Sequence, residues 1–279
     1  MKRILTIQDV SCVGQCSITV ALPIISAFGI ETCILPSAVL STHTGGFTGF
    51  TYRDLSDDFP AIIDHWKKEN INFDGFYTGY IADDRQIDYI LRIFNELGKE
   101  NAKIIVDPAM ADFGKLYKGF DENFVEQMAR LVARADYALP NLTEAALLTD
   151  SEYIEKNHSK EYIEKICIKL RDLGAKNVVL KGVSFNDGEI GVATFDGEEI
   201  KYYMHEKIDG NRHGTGDVYA SCFTGALMRG CEADKAAATA AELTLSAIKK
   251  TVPDKNHLYG VKFEKIIPEI TDFIAKIED

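Results

Sequence analysis

Lys2-Arg3-Ile4-Leu5-Thr6-Ile7-Gln8 alternates into an apolar run and predicts a strand buried at its centre. Residues 9–15, with Gly14, predict a loop. Ile18, Ala21, Leu22 and Ile25 then recur at helical spacing within residues 17–28, and Gly29 supplies the stop. Residues 31–36 read as a second strand. Strand, loop, helix, strand is the βαβ unit of a parallel sheet, because parallel neighbours need a long crossover. The fold class is therefore α/β.

The same alternation runs outward from this unit. Helical spacing marks 59–68 (with the only tryptophan, Trp66), 84–97, 120–133 and 161–173, the last closed by Gly174. Between them 75–80, 103–106, 137–139 and 177–181 read as strands. Residues 190–195 and 199–205 predict paired strands, since Asp196-Gly197 is a hairpin turn signal. Three helices follow at 217–228, 233–249 and 263–277. Residues 37–53 break the rhythm. Thr42-His43-Thr44-Gly45-Gly46-Phe47-Thr48-Gly49-Phe50 is too polar for core and too long for a simple turn, and its aromatics argue against disorder. It predicts a flap over a substrate with a flat ring. With no repeat and no linker, residues 1–279 predict one α/β domain: a mostly parallel central sheet flanked by helices, with an antiparallel edge hairpin.

A net charge of -12 argues against a nucleic-acid partner, which would call for a basic face. No apolar stretch reaches the length of a membrane span, and the apolar run after Met1 ends too early for a signal peptide. Cys12, Cys16, Cys33, Cys167, Cys222 and Cys231 form no Cys-x-x-Cys pair, so they predict reduced thiols in a cytoplasmic protein. No histidine lies close to Cys12 and Cys16 in sequence, which speaks against a metal there.

The main chemical signal comes late, in Gly210-Asn211-Arg212-His213-Gly214-Thr215-Gly216-Asp217-Val218-Tyr219-Ala220. Glycines at a helix start let the backbone approach a ligand, and the N–H groups there hold an anion. Asp217, in the first turn, would take a proton from a hydroxyl while those N–H groups hold the charge that builds during transfer. Alone, Gly-x-Gly-Asp also fits an ordinary capped helix.

Ligands of an open parallel sheet bind outside the carboxyl ends of its strands. The polar residues placed there are Asp9, Thr44 in the flap, Tyr80, Asp107, Asn141 with Glu144, Lys181 and the 214–217 motif. Singly, Asp107 before Pro108 and Asn141 before a helix read as turn and cap residues, and Lys181 as a solvated lysine. Jointly, two carboxylates, a lysine and an anion hole make a magnesium–phosphate site, since Mg²⁺ takes one or two carboxylates plus phosphate oxygens. Walker A, the dinucleotide Gly-x-Gly-x-x-Gly and the Gly-x-Ser-x-Gly elbow are all missing. A phosphoryl-transfer site late in the chain remains.

These residues resemble the ribokinase-like superfamily and, within it, the pyridoxal/pyridoxamine (vitamin B6) kinases, over nearly the whole length. Ile4-Leu5-Thr6-Ile7-Gln8 resembles their first strand, and Ser41-Thr42-His43-Thr44-Gly45 resembles their Asn-His-Thr-Gln substrate loop. Thr78-Gly79-Tyr80 is similar to their Ser-Gly-Tyr, and Val106-Asp107-Pro108-Ala109-Met110 to their Asp-Pro-Val-Met. Pro140-Asn141-Leu142-Thr143-Glu144 is similar to their Pro-Asn-x-x-Glu, and Gly214-Thr215-Gly216-Asp217 to their anion hole and base.

The resemblance implies ATP-dependent phosphorylation of the hydroxymethyl group of a B6 vitamer, with Mg²⁺. By it, Asp217 deprotonates the acceptor hydroxyl and the amides of Gly214, Thr215 and Gly216 stabilise the moving phosphoryl. It places Asp107 and Glu144 at magnesium, Asn141 and Lys181 at the nucleotide, and Asp9, Thr44, Gly45 and Tyr80 around the pyridine ring. It also implies a homodimer. Two departures keep alternatives open. Asp9 stands where many B6 kinases have Ser, and Gly45-Gly46 where they have Gln-Tyr. His213-Gly214-Thr215-Gly216 also resembles the hydroxymethylpyrimidine kinases of thiamine synthesis, although those commonly carry Cys at the position of Asp217. A sugar or nucleoside kinase fits the aromatic flap less well, and a non-catalytic sensor has no use for a base beside an anion hole.

Overall fold

The opening unit forms in the predicted order: β1 (Arg3–Ser11), α1 (Ile18–Ala27) and β2 (Glu31–Leu40). But β1 takes in Asp9, Val10 and Ser11, which the pattern places in the loop, and Val10 and Ser11 pair on with the extended β2. β1 and β2 pair in parallel from Arg3 opposite Glu31 to Ser11 opposite Leu40, with a register shift between Gln8 and Val10. The computed structural model describes residues 1–208, 213–254, 257 and 259–278. Gly210, Asn211 and Arg212 of the glycine stretch lie outside the described residues.

Three α-helices and six strands follow β2 up to residue 138. They are β3 (Tyr52–Asp54), α2 (Phe59–Lys68), β4 (Phe73–Thr78), α3 (Arg85–Glu96), β5 (Gly98–Val106), β6 (Ala111–Asp112), β7 (Lys115–Leu116), α4 (Glu122–Val132) and β8 (Tyr137–Ala138), with α5 (Leu142–Leu148) next. The remainder comprises α6 (Lys160–Asp172), β9 (Asn177–Val183), β10 (Glu189–Phe195), β11 (Ile200–Glu206), α7 (Thr215–Met228), α8 (Ala233–Thr251) and α9 (Ile267–Glu278).

One nine-stranded sheet runs in the order β11-β10-β9-β8-β5-β4-β1-β2-β3, and β6 and β7 form a separate small hairpin. The strands from β9 to β2 are parallel to one another. The expected antiparallel hairpin, β10 with β11, closes one edge. The short β3 closes the other, also antiparallel.

Period-2 alternation sends successive strand residues to two separate cores. Leu5, Ile7, Phe76, Val106, Val178 and Leu180 face a layer with α2, α3, α4 and α6. Ile4, Tyr77, Ile105 and Val179 face the opposite layer, where Val20, Ile24, Phe223, Ala237 and Ala240 of α1, α7 and α8 pack. Fully burying side chains of this size stabilises by about 1.5–3 kcal/mol each. Alanines in α8 let that helix come close to α7.

Three further expectations need correction. β2 runs on through Ala38-Val39-Leu40, so the irregular flap is only residues 41–51; apolar Leu35, Ala38 and Leu40 are buried and keep the chain in the sheet. β4 stops at Thr78, and the Gly79 beyond it sits against the Gln8 side chain, where a Cβ would come within 2.5 Å of Oε1. The last helix is preceded by a separate 3-10 turn at Phe263–Ile266, and Pro268 lies in the first turn of α9, where its missing N–H costs nothing. All six cysteines are free. No helix among the described residues is long and apolar enough to cross a membrane.

Candidate active site

α7 begins on the rim at the carboxyl ends of the parallel strands. Its N-cap is Gly214, in the left-handed region at φ 76°, a residue with no side chain to cap the helix. A Cβ on Gly214 would stand 1.9 Å from the carbonyl oxygen of Gln15, in the loop between β1 and α1. Glycine is required there by the protein's own backbone. Gly216 is different: its nearest neighbour along the Cβ direction is the Lys181 Nζ atom at 3.9 Å, so no packing demands a glycine. A side chain at 216 would fill the space between the helix start and Lys181. That cradle fits an anion approaching the first-turn amides.

Asp217 is the third residue of α7. Burial pushes its carboxyl pKa from 3.8 up to about 7, and the negative charges of Asp107 and Asp9 push the same way. The backbone amide of Ser17 and the charge of Lys181 pull it back. The side chain still opens onto the cavity, being only partly exposed. A carboxylate with a pKa near neutrality is a competent general base.

Asp107 follows the end of β5 and has a different partner. Its Oδ2 atom receives a hydrogen bond from Lys181 Nζ of β9 at 2.6 Å, and both side chains are buried. Burial pushes the Asp107 carboxyl up and the lysine pulls it back. Burial works against the Lys181 charge, but Asp107 and Glu144 outweigh it and hold its pKa above the ordinary lysine value. The other oxygen, Asp107 Oδ1, is buried without a hydrogen-bond partner. A free buried carboxylate oxygen fits a cation.

Asn141 and Glu144 start α5 on the same rim. The Asn141 side chain accepts from the Glu144 amide at 2.9 Å, and Glu144 Oε2 accepts from the Asn141 amide at 2.8 Å, a reciprocal capping box. Glu144 Oε1 accepts from the Met110 amide at 3.3 Å. Asn141 also donates to the Ala111 carbonyl at 2.8 Å, tying α5 to the β6–β7 hairpin. Burial, with the charge of Asp107, holds the Glu144 pKa well above the usual range. Among the described residues, no group of three or more His, Cys, Asp and Glu side chains could hold a metal ion alone. A magnesium ion bound by one or two carboxylates and phosphate oxygens needs no such group.

Across the rim, Asp9 sits at the register shift of β1, buried, and receives the Ser11 hydroxyl at 2.8 Å. Burial raises its pKa, with Ser17 and Ser11 opposing. Tyr80 leaves the sheet just past β4, and its ring stacks on Phe120 at 5.5 Å. In the flap Thr44 is exposed, whereas Gly45 is pressed against a histidine ring: a Cβ there would lie 2.4 Å from His213. The His43 ring packs on His213 at 5.2 Å and on Phe47 at 5.1 Å. So the flap rests on the glycine motif itself.

Asp9, Thr44, Gly45, Tyr80, Asp107, Asn141, Glu144, Lys181 and the 214–217 segment all line one cavity of ≈ 870 Å³. Sequence reasoning missed the hairpin residues Asp112, Phe113, Lys115 and Tyr117, which line it too. Asp112-Phe113-Gly114 was their available signal, a short turn with Gly114 at φ 73°. It also missed the part played by Gln15, whose carbonyl abuts Gly214.

Fold and rim together define a phosphotransferase that acts on an alcohol group, built on the ribokinase-like fold. The chain belongs to the phosphomethylpyrimidine kinase family, whose model matches residues 24–261. A Bacteroides thetaiotaomicron protein assigned as a phosphomethylpyrimidine kinase, crystallised in a form with pyridoxal, is 33% identical with a TM-score of 0.91, over 96% of this chain and 95% of that one. Pyridoxal kinase from Lactobacillus plantarum is 30% identical with a TM-score of 0.90, over 98% of each chain. Pyridoxal kinase from Leishmania donovani, in complex with ADP and pyridoxamine, shares the fold at a TM-score of 0.87 and 21% identity, over 97% of this chain and 96% of that one. The resemblance read from the motifs holds.

Proposed function

We propose that this chain transfers the γ-phosphoryl group of ATP to the hydroxymethyl oxygen of a vitamin B6 vitamer. The observation that carries the reading is Asp217, with its pKa raised to about 7, set in the first turn of a helix whose N-terminus has no side-chain cap. Asp217 takes the hydroxymethyl proton as the oxygen attacks the γ-phosphorus. The bond from that phosphorus to the bridging oxygen breaks, and ADP leaves. The first-turn amides of α7 hold the charge on the phosphoryl oxygens in flight.

Lys181 brings positive charge to the same place and is fixed by Asp107. Asp107 Oδ1, with Glu144 behind it, would hold Mg²⁺, which when bound neutralises phosphate charge. Asp9 can accept from a ring hydroxyl or pair with an amine. Tyr80, backed by Phe120, offers an aromatic surface to a flat ring. Closure of residues 41–51 over the cavity would exclude water from the transfer. The pyridoxal and ADP named with the related structures agree with this pairing of acceptor and donor.

Hydroxymethylpyrimidine is the second reading, favoured by the family match and by His213-Gly214-Thr215-Gly216. Both acceptors present a hydroxymethyl group on a flat nitrogen ring, so one site chemistry serves either. An ATP-dependent phosphorylation assay on pyridoxal, pyridoxamine, pyridoxine, hydroxymethylpyrimidine and ribose separates them. A B6 vitamer should give the highest kcat/KM. A preference for hydroxymethylpyrimidine or ribose, or no transfer at all, overturns the proposal.

A further inference from the structure

Gln86 lies in the first turn of α3, wholly buried, and does not line the cavity. A glutamine so placed must satisfy two donors and a carbonyl inside the protein, and this one does so across four segments. Its Oε1 atom accepts from the Ala82 amide at 3.1 Å, in the loop that follows Tyr80. Its Nε2 atom donates to the Ser37 carbonyl of β2 at 2.9 Å. The same nitrogen reaches Ser56 Oγ at 2.9 Å and Asp54 Oδ1 at 3.1 Å. Ser37 then passes the connection on, its hydroxyl donating to the Tyr80 carbonyl at 3.0 Å.

Two segments in this network line the cavity, β2 through Leu40 and the loop after β4 through Tyr80. β2 and β3 are the two stems of the flap, paired at Ala38–Asp54, Val39–Arg53 and Leu40–Tyr52. Above that pairing the neck closes through Ser41 and Thr51, whose backbones bond at 3.1 Å. β3 is three residues long, lies at the sheet edge and pairs with one strand only. So short an edge strand cannot fix its own position by ladder bonds. The hydrogen bonds from Gln86 to Ser37 and Asp54 do so from below. Tyr80 is held from the same point, through Ala82 and through Ser37. Outside, Arg85 adds ion pairs to Asp54, Asp57 and Asp83, but these are exposed and weak.

We infer that Gln86 is a positioning residue for acceptor recognition, holding Tyr80 and both stems of the flap in one register through its buried amide. The inference rests on the reading that Tyr80 and residues 41–51 contact the acceptor and not the nucleotide. Among the described residues no side chain of the nucleotide side joins this network: the side chains of Asp107, Lys181, Asn141 and Glu144 bond to one another, to the Asn141 and Glu144 amides, and to Met110 and Ala111.

Two substitutions test it. Gln86→Met keeps the length and removes every hydrogen bond; Ser37→Ala removes only the tether to Tyr80 and leaves a small, easily packed side chain. In the free protein, Gln86→Met should speed hydrogen exchange at the amides of Ser41 and Thr51 by about tenfold or more while α5 exchanges as before. In turnover, both variants should raise KM for the acceptor, about tenfold for Gln86→Met and several-fold for Ser37→Ala, with KM for ATP within about twofold. Unchanged exchange at the flap neck, exchange raised equally in α5, or equal rises in both KM values overturn the inference. If the wild-type protein phosphorylates no acceptor, the functional reading fails, and the exchange measurement still decides the role of Gln86.

Discussion

Two helices begin on the same rim and treat their first turns in opposite ways. α5 is sealed by its own side chains, with Asn141 and Glu144 satisfying each other's amides. α7 starts at Gly214 in a left-handed conformation with no side-chain cap. Both face the cavity. A side-chain cap in place of Gly contributes only a few tenths of a kcal/mol, so leaving a helix start open costs little stability. What it gains is a set of donors for an anion that the protein does not itself supply. The carboxylates differ in the same sense. Glu144 spends its oxygens on backbone amides and Asp107 one of its own on Lys181, whereas Asp217 has the Ser17 amide and the charge of Lys181 set against two negative neighbours.

The sharpest way to break this contrast is Asp217→Asn, which keeps size and shape but cannot take a proton. Positioned proton transfer accounts for roughly 10²–10⁴-fold, about 3–5 kcal/mol of barrier, so kcat should fall in that range. Affinity for ATP should stay within a few-fold. Stability supplies a second sign. The Asp217 pKa is raised on folding, so its contribution is present below the unfolded value and lost as pH rises through about 7. Asp217→Asn should therefore melt higher than wild type at pH 8, with the gain fading by about pH 4. Near-normal turnover with a lower melting temperature would make Asp217 a plain helix-start residue.

Gly214→Ala attacks the open helix start directly. Its Cβ would collide with the Gln15 carbonyl, and its φ of 76° disfavours any side chain. The first turn must shift, and kcat should drop on the order of 10²-fold, with a stability loss of about 1–3 kcal/mol. Steady-state kinetics and a denaturant titration on one preparation read both. Unchanged kcat would remove the α7 amides from the chemistry.

On the sealed side the expected effects are smaller. Glu144→Gln keeps one acceptor oxygen and loses the other, so either the capping-box bond from the Asn141 amide or the bond from the Met110 amide is lost, and unfolding free energy should fall by about 0.5–2 kcal/mol. If Glu144 also stands behind Mg²⁺, the magnesium concentration for half-maximal activity should rise several-fold. A stability loss with unaltered magnesium dependence would leave Glu144 as a cap alone. Smallest is Thr44→Val on the exposed flap, expected to raise KM for the acceptor a few-fold and to leave KM for ATP alone; equal effects on the two would return the flap to an ordinary surface loop.

Much of this was legible in the residues. Alternation on both faces of β1, β4, β5 and β9 marks strands buried between two helical layers, and Asp196-Gly197 places the edge hairpin. The strand-end rule then gathered Asp9, Asp107, Lys181 and Asp217 in one cavity. The missing parts have a common physical cause: they depend on what a residue meets across the fold. Gly214 needs to be glycine because of Gln15, some 200 positions earlier in the chain. Gln86 has no local signal of burial in the sequence; its partners are brought over it from β2 and β3. Asn141 and Glu144 are the reverse case. Their spacing is itself a capping box, and both the cap and the place on the rim could be read from it.

The central claim is that Asp217 is a base poised by burial near neutrality, and the most direct test is the pH dependence of kcat/KM, corrected for titration of the acceptor. Below about pH 7 the wild-type value should rise close to tenfold per pH unit and then level off, following the free-enzyme carboxyl. Asp217→Asn should leave a low residual activity without that limb. A wild-type profile already flat from about pH 5 upward, or the same rising limb retained in Asp217→Asn, contradicts the assignment.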